Sequence, residues 1–597
     1  MSLGDQLSRR AAALARKRLS PQTKKRMRQV QRAVLGRSTA VATRTGLSTA
    51  RASLGAQEYD EAATHVEAVL RRDPADPKAL ELATTIALKR GAFTEAAEHA
   101  VRRMVTTGEA AHWSHARTVL GRTRETDPRW QPVVAAPAPY AYSPRPGRVL
   151  YLAKESRPFL HNGFCTRSHE SLQALVRAGR DILGVTMPGF PGVLGIEDPP
   201  SRSVVEEVTY HHLLPNAGRR LRALALDEYV DLTAGMLAGT VARERPALLH
   251  VSSGHRGYES ALAGDAVARW AGIPWLYEVR SFFETTWTDD ARYAENSEYY
   301  ERRFATETRM MRAAALVLTL SGPMREEIVD RHGIPGEKVR VVPNAVDLTR
   351  FTPRERDPEL RRKLGLTDTF TLGYVSNLSH PREGQEVLVE AVAKLRAQGR
   401  PVTGLLVGDG SRRAELERLA ARLGVAAQVV FTGNVPFEEV AGHYAQIDLF
   451  VVPRVDDRAA RMVSPMKPFE AMAMRVPVLV ADLPALAEIV GADAGRSDAT
   501  LGQAAAGQAG VRGETFRTGD PAALATVAAR LMDDEPARQR LVDSAAAWVA
   551  AERSWDAVAQ AFESAYDEIL RRQADAAATP TGSSTGSSTA TREAPAC

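Results

Sequence analysis

The spacing of hydrophobic positions divides this 597-residue chain into successive parts. In the first part, residues 1–50, Pro21 separates two helical patterns, and in the second of these Met27, Val30 and Val34 fall on one stripe. From 51 to 135 the apolar positions keep a helical period and recur. Tyr59, Glu61, Ala62, Ala63, His65 and Leu70 return 34 residues later as Phe93, Glu95, Ala96, Ala97, His99 and Met104. Such a period predicts paired helices, with small alanines where they touch, and DPADPKAL (73–80) supplies a turn and a new helix start. APAPYAYSPRPG (136–147) reads as a Pro-rich linker. After it, short apolar runs alternate with amphipathic helices. RVLYLA, DILGVTM, ALLHVSS, PWLYEVR and ALVLTLS read as buried parallel strands, and FTLGYVS, TGLLVGDG, QVVFTG, LFVVP and PVLVAD form a second set. Two such sets predict two doubly wound α/β domains, 148–345 and 346–545. One long closing helix is predicted over 546–575, and the low-complexity tail 576–597 predicts disorder.

Composition changes this picture at one end only. With 44% hydrophobic and 25% charged residues the chain has the ordinary globular mixture, which excludes a wholly disordered or fibrous protein. No apolar run reaches the roughly 18 residues that a membrane-spanning helix needs. MSLGDQLSRR lacks the apolar stretch of a signal peptide, and Cys165 and Cys597 are too few for a disulfide scaffold or a structural zinc site. A cytoplasmic location is expected. The net charge of +6 is unevenly spread: residues 1–51 hold thirteen Lys or Arg against Asp5 alone. Lys24, Lys25, Arg26, Arg28 and Arg32 surround the Met27–Val30–Val34 stripe, as in a helix lying on an anionic membrane surface. A solvated leader or an acidic partner fits the same charge. Nucleic acid is not expected, because no interleaved aromatics or base-reading module accompany it. The 34-residue period resembles tetratricopeptide repeats, and two repeats are short of a free-standing solenoid. They are expected to pack on a neighbour or take a protein partner.

Two facing α/β domains place their strand C-terminal ends across one cleft, where ligands bind. In the loop that follows LFVVP, Lys467 and Glu470 are three apart at a predicted loop-to-helix transition and can project to one side. A lysine there binds phosphate as a point charge, and a carboxylate accepts a pair of ribose hydroxyls. Alone, the pair is equally a surface Lys and a helix-start Glu. Its surroundings decide between these. SPMKPFEAMA with PVLVAD after it, preceded by VVPNAVDLTRF (341–351), VSNLSHPREG (375–384) and LLVGDG (405–410), resembles the C-terminal half of family 4 glycosyltransferases. These are retaining enzymes of the GT-B fold that use nucleotide sugars. HNGFCTRSHESLQALVRAG and PWLYEVRSFFE resemble, more loosely, the glycine loop and the acceptor-side strand of their N-terminal half. The implied fold is α/β, with two Rossmann-like domains preceded by a small all-α repeat segment.

By that resemblance Glu470 is the second Glu of the family's E-x7-E signature and would hold the donor ribose. Lys467 and Arg382 would meet the diphosphate, and Gly163 would let the first domain's backbone approach it. Gly408 and Gly410 would make the tight turn beside the nucleotide, while Asn344 and Asp347 would be structural residues at the hinge. Glu278, Arg280 and Glu284, with His255 as a further candidate, would lie near the reacting carbon; each reads equally as an ion pair inside the cleft. Four positions depart from the family pattern. Met462 replaces the first Glu of the signature, Glu383-Gly384 stands for the usual Lys-Gly, Arg475 for a Gly, and Arg280 for a frequent His. The implied reaction is sugar transfer from a nucleotide sugar to a sugar or lipid-linked hydroxyl acceptor, with retention and no metal or other cofactor, in cell-surface polysaccharide or glycoconjugate synthesis. Two other readings stand beside it: a repeat-bearing interaction scaffold without turnover, for which Met462 speaks, and a GT-B phosphorylase or storage-sugar synthase.

Overall fold

The structure is a computed structural model that describes residues 41–135, 142–215, 221–492 and 510–578. The basic stripe near Met27 and the tail from 579 onward therefore lie outside the described residues. Two compact units emerge. One joins the chain up to Trp130 with Arg222–Tyr229 and Glu284–Ala305; the other takes Gln131–Leu221, Val230–Phe283 and Thr306 onward.

The first unit is helical. A helix over 41–55 is followed by Tyr59–Leu70, Pro77–Arg90, Phe93–Thr107 and Ala110–Glu125. Asp76 starts the second of these four by accepting from the amides of Lys78 and Ala79, with Pro77 in the first turn. Ala62, Ala83, Ala96 and Ala116 are buried where helices meet, so the backbones approach closely. The two repeat copies carry the same ion pairs, His65 with Glu61 at 3.6 Å and His99 with Glu95 at 3.4 Å. The expected boundary after residue 50 does not hold. Leu47 and Ala50 pack with Ala62, Val66 and Val69, which draws helix 41–55 into the repeat core.

The second unit contains both α/β halves. Its first sheet comprises β1 (Val149–Ala153), β2 (Ile182–Thr186), β3 (Arg202–Val205), β4 (Val208–His212), β5 (Leu248–Ser252), β6 (Trp275–Glu278), β7 (Val317–Thr319) and β8 (Val339–Val341). The order is β3-β4-β2-β1-β5-β6-β7-β8, and only β3 is antiparallel. The second comprises β9 (Phe370–Val375), β10 (Val402–Val407), β11 (Val429–Phe431), β12 (Leu449–Val452), β13 (Val478–Ala481) and β14 (Glu514–Phe516), all parallel, in the order β11-β10-β9-β12-β13-β14. The central strands are apolar along their whole length because helices cover both faces. Strand order reverses direction at β1/β5 in one sheet and at β9/β12 in the other. Crevices therefore open beyond the C-terminal ends of those strands.

Two further expectations need correction. The closing helix is broken: Glu535–Glu552 ends at Arg553 and Trp555–Ala578 begins anew. Ser554 Oγ caps the new helix by accepting from the amide of Ala557, and the Arg553 carbonyl accepts from the amide of Val346. The break lets Trp555, Phe562 and Tyr566 return to the core of the first half, beside Leu248 and Leu276. The end of the expected linker is also fastened. Tyr142 Oη donates to the Pro246 carbonyl at 2.8 Å, and the amide of Arg145 donates to the Arg245 carbonyl at 2.7 Å. Among the described residues no helix is long and apolar enough to cross a membrane.

Candidate functional site

The loops beyond the reversal points of the two sheets meet. After β1 the chain runs to Asn162, whose side chain accepts from the amide of Cys165 and starts the helix Gly163–Arg177. A Cβ on Gly163 would lie 3.5 Å from Met466 Cε, next to Lys467, so the first residue of this helix faces the second half. Beneath it is a buried charge network. Arg167 and Arg280 grip the carboxylate of Glu278 from two sides, at 2.7 Å and 2.8 Å. Tyr151 donates to it at 2.9 Å. Burial opposes the charge of Glu278, but Arg280 and Arg167 overcome this and hold it well below the ordinary carboxylate range. Arg280 spends its remaining donors on the Phe164 carbonyl, Ser168 and Tyr151. Glu278 and Arg280 are thus joined to each other and to the helix Gly163–Arg177 inside the first half.

Arg167 also donates to the carbonyls of Val342 and Pro343 and to Asn344 Oδ1. Asn344 passes the connection on by donating to the Ser464 carbonyl at 2.7 Å, three residues before Lys467. Asp347 turns the chain locally by accepting from the amide and hydroxyl of Thr349. His255 is exposed in the loop after β5, and Glu284 is buried and opens the segment that clusters with the helical unit.

In the second half, Lys467 and Glu470 sit on the helix Lys467–Ala473, after β12. With only seven residues this helix contributes little field of its own, so the local positive charge comes from side chains. Lys467 Nζ has neither an ion-pair nor a hydrogen-bond partner among the described residues, yet its charge acts on both Glu383 and Glu470. Tyr444 donates to Glu470 Oε2 at 2.6 Å. Burial raises the pKa of Glu470 above its ordinary value, against the opposing pull of Lys467 and of that hydrogen bond. Oε1 remains open, so the carboxylate is held by one oxygen and offers the other.

The loop after β9 carries Arg382 and Glu383. Arg382 is 39% exposed, whereas Glu383 is buried against Arg454 and Tyr374. Gly384 has φ 66°, and a Cβ there would fall 2.0 Å from the Pro453 carbonyl, so glycine is required on both counts. Gly408 and Gly410 press the loop after β10 onto that after β9. A Cβ on either would lie 2.0 Å from the Ser376 carbonyl oxygen or 2.3 Å from the carbonyl carbon of Leu378. Met462 turns its carbonyl to the hydroxyl of Ser321 in the first half. Arg475 has φ 58° and pairs with Asp543.

Two family sequence profiles match this chain: "Glycosyl transferase 4-like domain" over 162–345 and "Glycosyl transferases group 1" over 369–534, together more than half of it. The chain belongs to the family 4-type glycosyltransferases. Its GT-B fold is shared with the sucrose-phosphate synthase of Thermosynechococcus elongatus, at TM-score 0.55 and 19% identity over 71% of this chain and 99% of that one. An Anabaena protein, HepE, in complex with UDP and glucose gives TM-score 0.51 and 19% identity over 70% of this chain and 99% of that one. Among sequence relatives, the alpha-D-kanosaminyltransferase of Streptomyces kanamyceticus is 29% identical over 44% of this chain and 63% of its own length. The 2-deoxystreptamine glucosyltransferase of the same organism is 28% identical over 53% and 81%. The D-inositol 3-phosphate glycosyltransferase of Stackebrandtia nassauensis is 27% identical over 72% and 93%.

Three residues of the candidate site escaped sequence reasoning. Tyr444 anchors Glu470, Arg454 balances Glu383, and Arg167 couples Glu278 to Asn344. Arg454 carried a signal, a cation placed at the end of the LFVVP strand. Tyr444 and Arg167 lie within ordinary amphipathic helices and carried none.

Proposed function

We propose that this chain transfers a hexosyl group from a nucleotide-sugar donor to a hydroxyl acceptor with retention of anomeric configuration. One observation carries the reading. At the crevice of the second half, an unpartnered ammonium, Lys467 Nζ, stands three residues from a carboxylate, Glu470, with one open oxygen. The carboxylate accepts the ribose hydroxyls, with Tyr444 fixing its orientation. Lys467 and Arg382 neutralise the diphosphate as the glycosidic bond breaks, the moment at which its charge grows. Gly163 leaves room for the diphosphate beside the first half's backbone. With Glu278 buried between two guanidiniums, the reading assigns no enzyme nucleophile and takes the acceptor hydroxyl to attack from the side the leaving group departs. Glu278 acts by positioning Arg280 and the helix Gly163–Arg177.

The names of the relatives suggest the first acceptor probes, the cyclitols 2-deoxystreptamine and D-inositol 3-phosphate, and UDP-glucose is the first donor. Work on a lipid-linked acceptor in cell-surface glycoconjugate synthesis, at the inner face of a membrane, accords with the basic leader. The scaffold reading rests on Met462 alone, whereas the open Lys467 and Glu470 favour turnover. The test is nucleotide release from UDP-, GDP- and ADP-sugars, with EDTA present to check that no metal is needed. Lys467→Ala is expected to lower kcat about 10²–10³-fold, the usual effect of removing one donor to a developing anion. Glu470→Ala is expected to abolish donor binding. Wild-type turnover by Glu470→Ala, or a strict need for a divalent cation, would overturn the placement of the donor.

A further inference from the structure

The connection that leaves β6 is unusually long. From Glu278 to the helix Glu298–Ala313 it spans nineteen residues, where such connections commonly take about two to six. Long loops at the C-terminal edge of a parallel sheet usually carry ligand recognition. Its first residues stay with the α/β unit: the ring of Phe283 lies 6.2 Å from that of Phe164, beside Gly163. Its continuation, Glu284–Ala305, clusters with the helical repeats.

The two repeat copies hold this continuation through equivalent positions. Tyr59 packs on Tyr293 with ring centroids 5.8 Å apart. Phe93, 34 residues on, stacks on Tyr299 at 3.9 Å and meets the edge of Trp287 at 6.5 Å. One residue further along each copy is a polar tie. Asp60 accepts from Tyr293 Oη at 3.0 Å, and the amide of Thr94 donates to Glu298 at 3.0 Å. Two residues before each aromatic, a backbone carbonyl accepts. That of Gln57 takes Arg292 Nη2 at 2.7 Å, and that of Gly91 takes the amide of Tyr299 at 2.9 Å. Gln57 and Gly91 are both left-handed, with φ 63° and 74°. At Gly91 a Cβ would lie 2.6 Å from Ser297 Cβ and 2.7 Å from Trp287 Cη2, so the segment fits only against a bare backbone. Gln57 adopts this conformation without being glycine, a backbone state that side chains with a Cβ disfavour. The ties at Asp60, Gln57, Thr94 and Gly91 come from the repeat period itself, and their ligand is the chain's own segment.

We propose that the helical repeats are an intramolecular clamp for residues 284–305, and that the clamped connection determines acceptor recognition. This second clause rests on the glycosyltransferase function proposed above. The clamp occupies the repeat positions that carry Tyr59 and Phe93, so those positions do not await a protein partner. It also gives two repeats the neighbouring surface that so short an array requires.

The test compares the full-length wild type with Tyr59→Ala/Phe93→Ala, and with Arg292→Ala/Glu298→Ala, which keeps the aromatic packing and guards against misfolding. Three readouts are taken: hydrogen exchange at amides 284–305, UDP affinity, and UDP release from UDP-glucose with and without 2-deoxystreptamine or D-inositol 3-phosphate. Exchange in the segment is expected to rise about tenfold or more in both variants, with amides of 467–473 unchanged. Acceptor-dependent release should fall about tenfold or more, as for a displaced positioning element, while UDP affinity and acceptor-free hydrolysis stay within about twofold. Unchanged exchange in both variants would overturn the clamp. Faster exchange with unchanged acceptor-dependent release would overturn its role in recognition. Absence of UDP and GDP binding by the wild type would count against the proposed function, and the exchange result would still decide the clamp.

Discussion

Arg454 and Glu383 form a buried ion pair that joins the ends of β12 and β9: Arg454 Nη2 donates to Glu383 Oε1 at 3.0 Å, and Tyr374 donates to the other oxygen. Burial opposes ionisation of Glu383, but Arg454 and Lys467 prevail and bring its pKa down to about 2. By the resemblance drawn from the sequence, Glu383 stands where the family pattern has a lysine. Here Arg454 supplies the main compensating charge, with Lys467 acting on Glu383 as well and Arg382 Nε 3.8 Å from its Oε1.

Removing one member of such a pair leaves an uncompensated buried charge. Glu383→Ala is expected to destabilise by about 3–5 kcal/mol, and Glu383→Leu/Arg454→Leu by much less than the sum of the single changes. Because the folded pKa is depressed, the carboxylate stabilises the fold above its unfolded pKa of about 4.3. That contribution is lost as pH falls toward 2. Urea titrations of the four proteins, repeated between neutral and acid pH, check both statements. An acid limb that persists unchanged in Glu383→Ala would assign it to other carboxylates.

Tyr444 and Glu470 provide the second prediction. Tyr444→Phe removes a donor from a carboxylate that must stay oriented, and nucleotide affinity should fall by about 1–2 kcal/mol. The sign of the pH effect follows from the raised pKa of Glu470. Protonated Glu470 offers a poorer acceptor to the ribose, so affinity should rise with pH through that pKa and level off above it. Calorimetric titration with UDP or GDP at a series of pH values measures this. Glu470→Gln should bind weakly and without that rise.

Lys467 and Glu470 were legible in the sequence because SPMKPFEAMA places them in a recognisable frame, three residues apart. Their supports were not, since Tyr444 lies 26 residues from Glu470, Arg454 lies 71 from Glu383, and Arg167 lies 111 from Glu278. Hydrophobic runs revealed the central strands, which are covered on both faces. The β3–β4 hairpin escaped because β3 is an edge strand exposed at alternate positions. The helix break at Ser554 is invisible in AAERSWDAV, because the bridge with Val346 that fixes it comes from 208 positions away. The 34-residue period disclosed two repeats; that Phe93 and Tyr59 face the chain's own Tyr299 and Tyr293 depends on a segment more than two hundred residues later.

Arg475 offers a stability test that is independent of ligand. It holds φ 58°, a conformation that disfavours side chains with a Cβ by about 1–2 kcal/mol. Its partner Asp543 is 57% exposed, so the ion pair returns little of this. Arg475→Gly is expected to leave stability unchanged or raise it by about 1 kcal/mol, and Arg475→Val to lower it. Midpoints of urea unfolding give the answer, and equal loss in both variants would show that the Asp543 pair dominates.

The basic leader yields the last prediction, which rests on charge. Residues 1–51 carry thirteen Lys or Arg and one acid. Near an anionic surface each basic residue contributes about 1 kcal/mol before screening. If about a third of them engage, roughly 4 kcal/mol favours the bound state, enough for reversible attachment. That attraction is long-ranged and falls with ionic strength, since the screening length drops from about 10 Å at 0.1 M to about 3 Å at 1 M salt. The full chain is expected to sediment with vesicles containing phosphatidylserine in low salt, and to stay in the supernatant in high salt or with neutral vesicles. A chain lacking residues 1–40 should lose most of this binding while keeping helix 41–55 in the repeat core. Charge reversal of Lys24, Lys25 and Arg26 to Glu should act in the same direction without shortening the chain. Equal sedimentation of all three proteins would place membrane attachment elsewhere in the molecule.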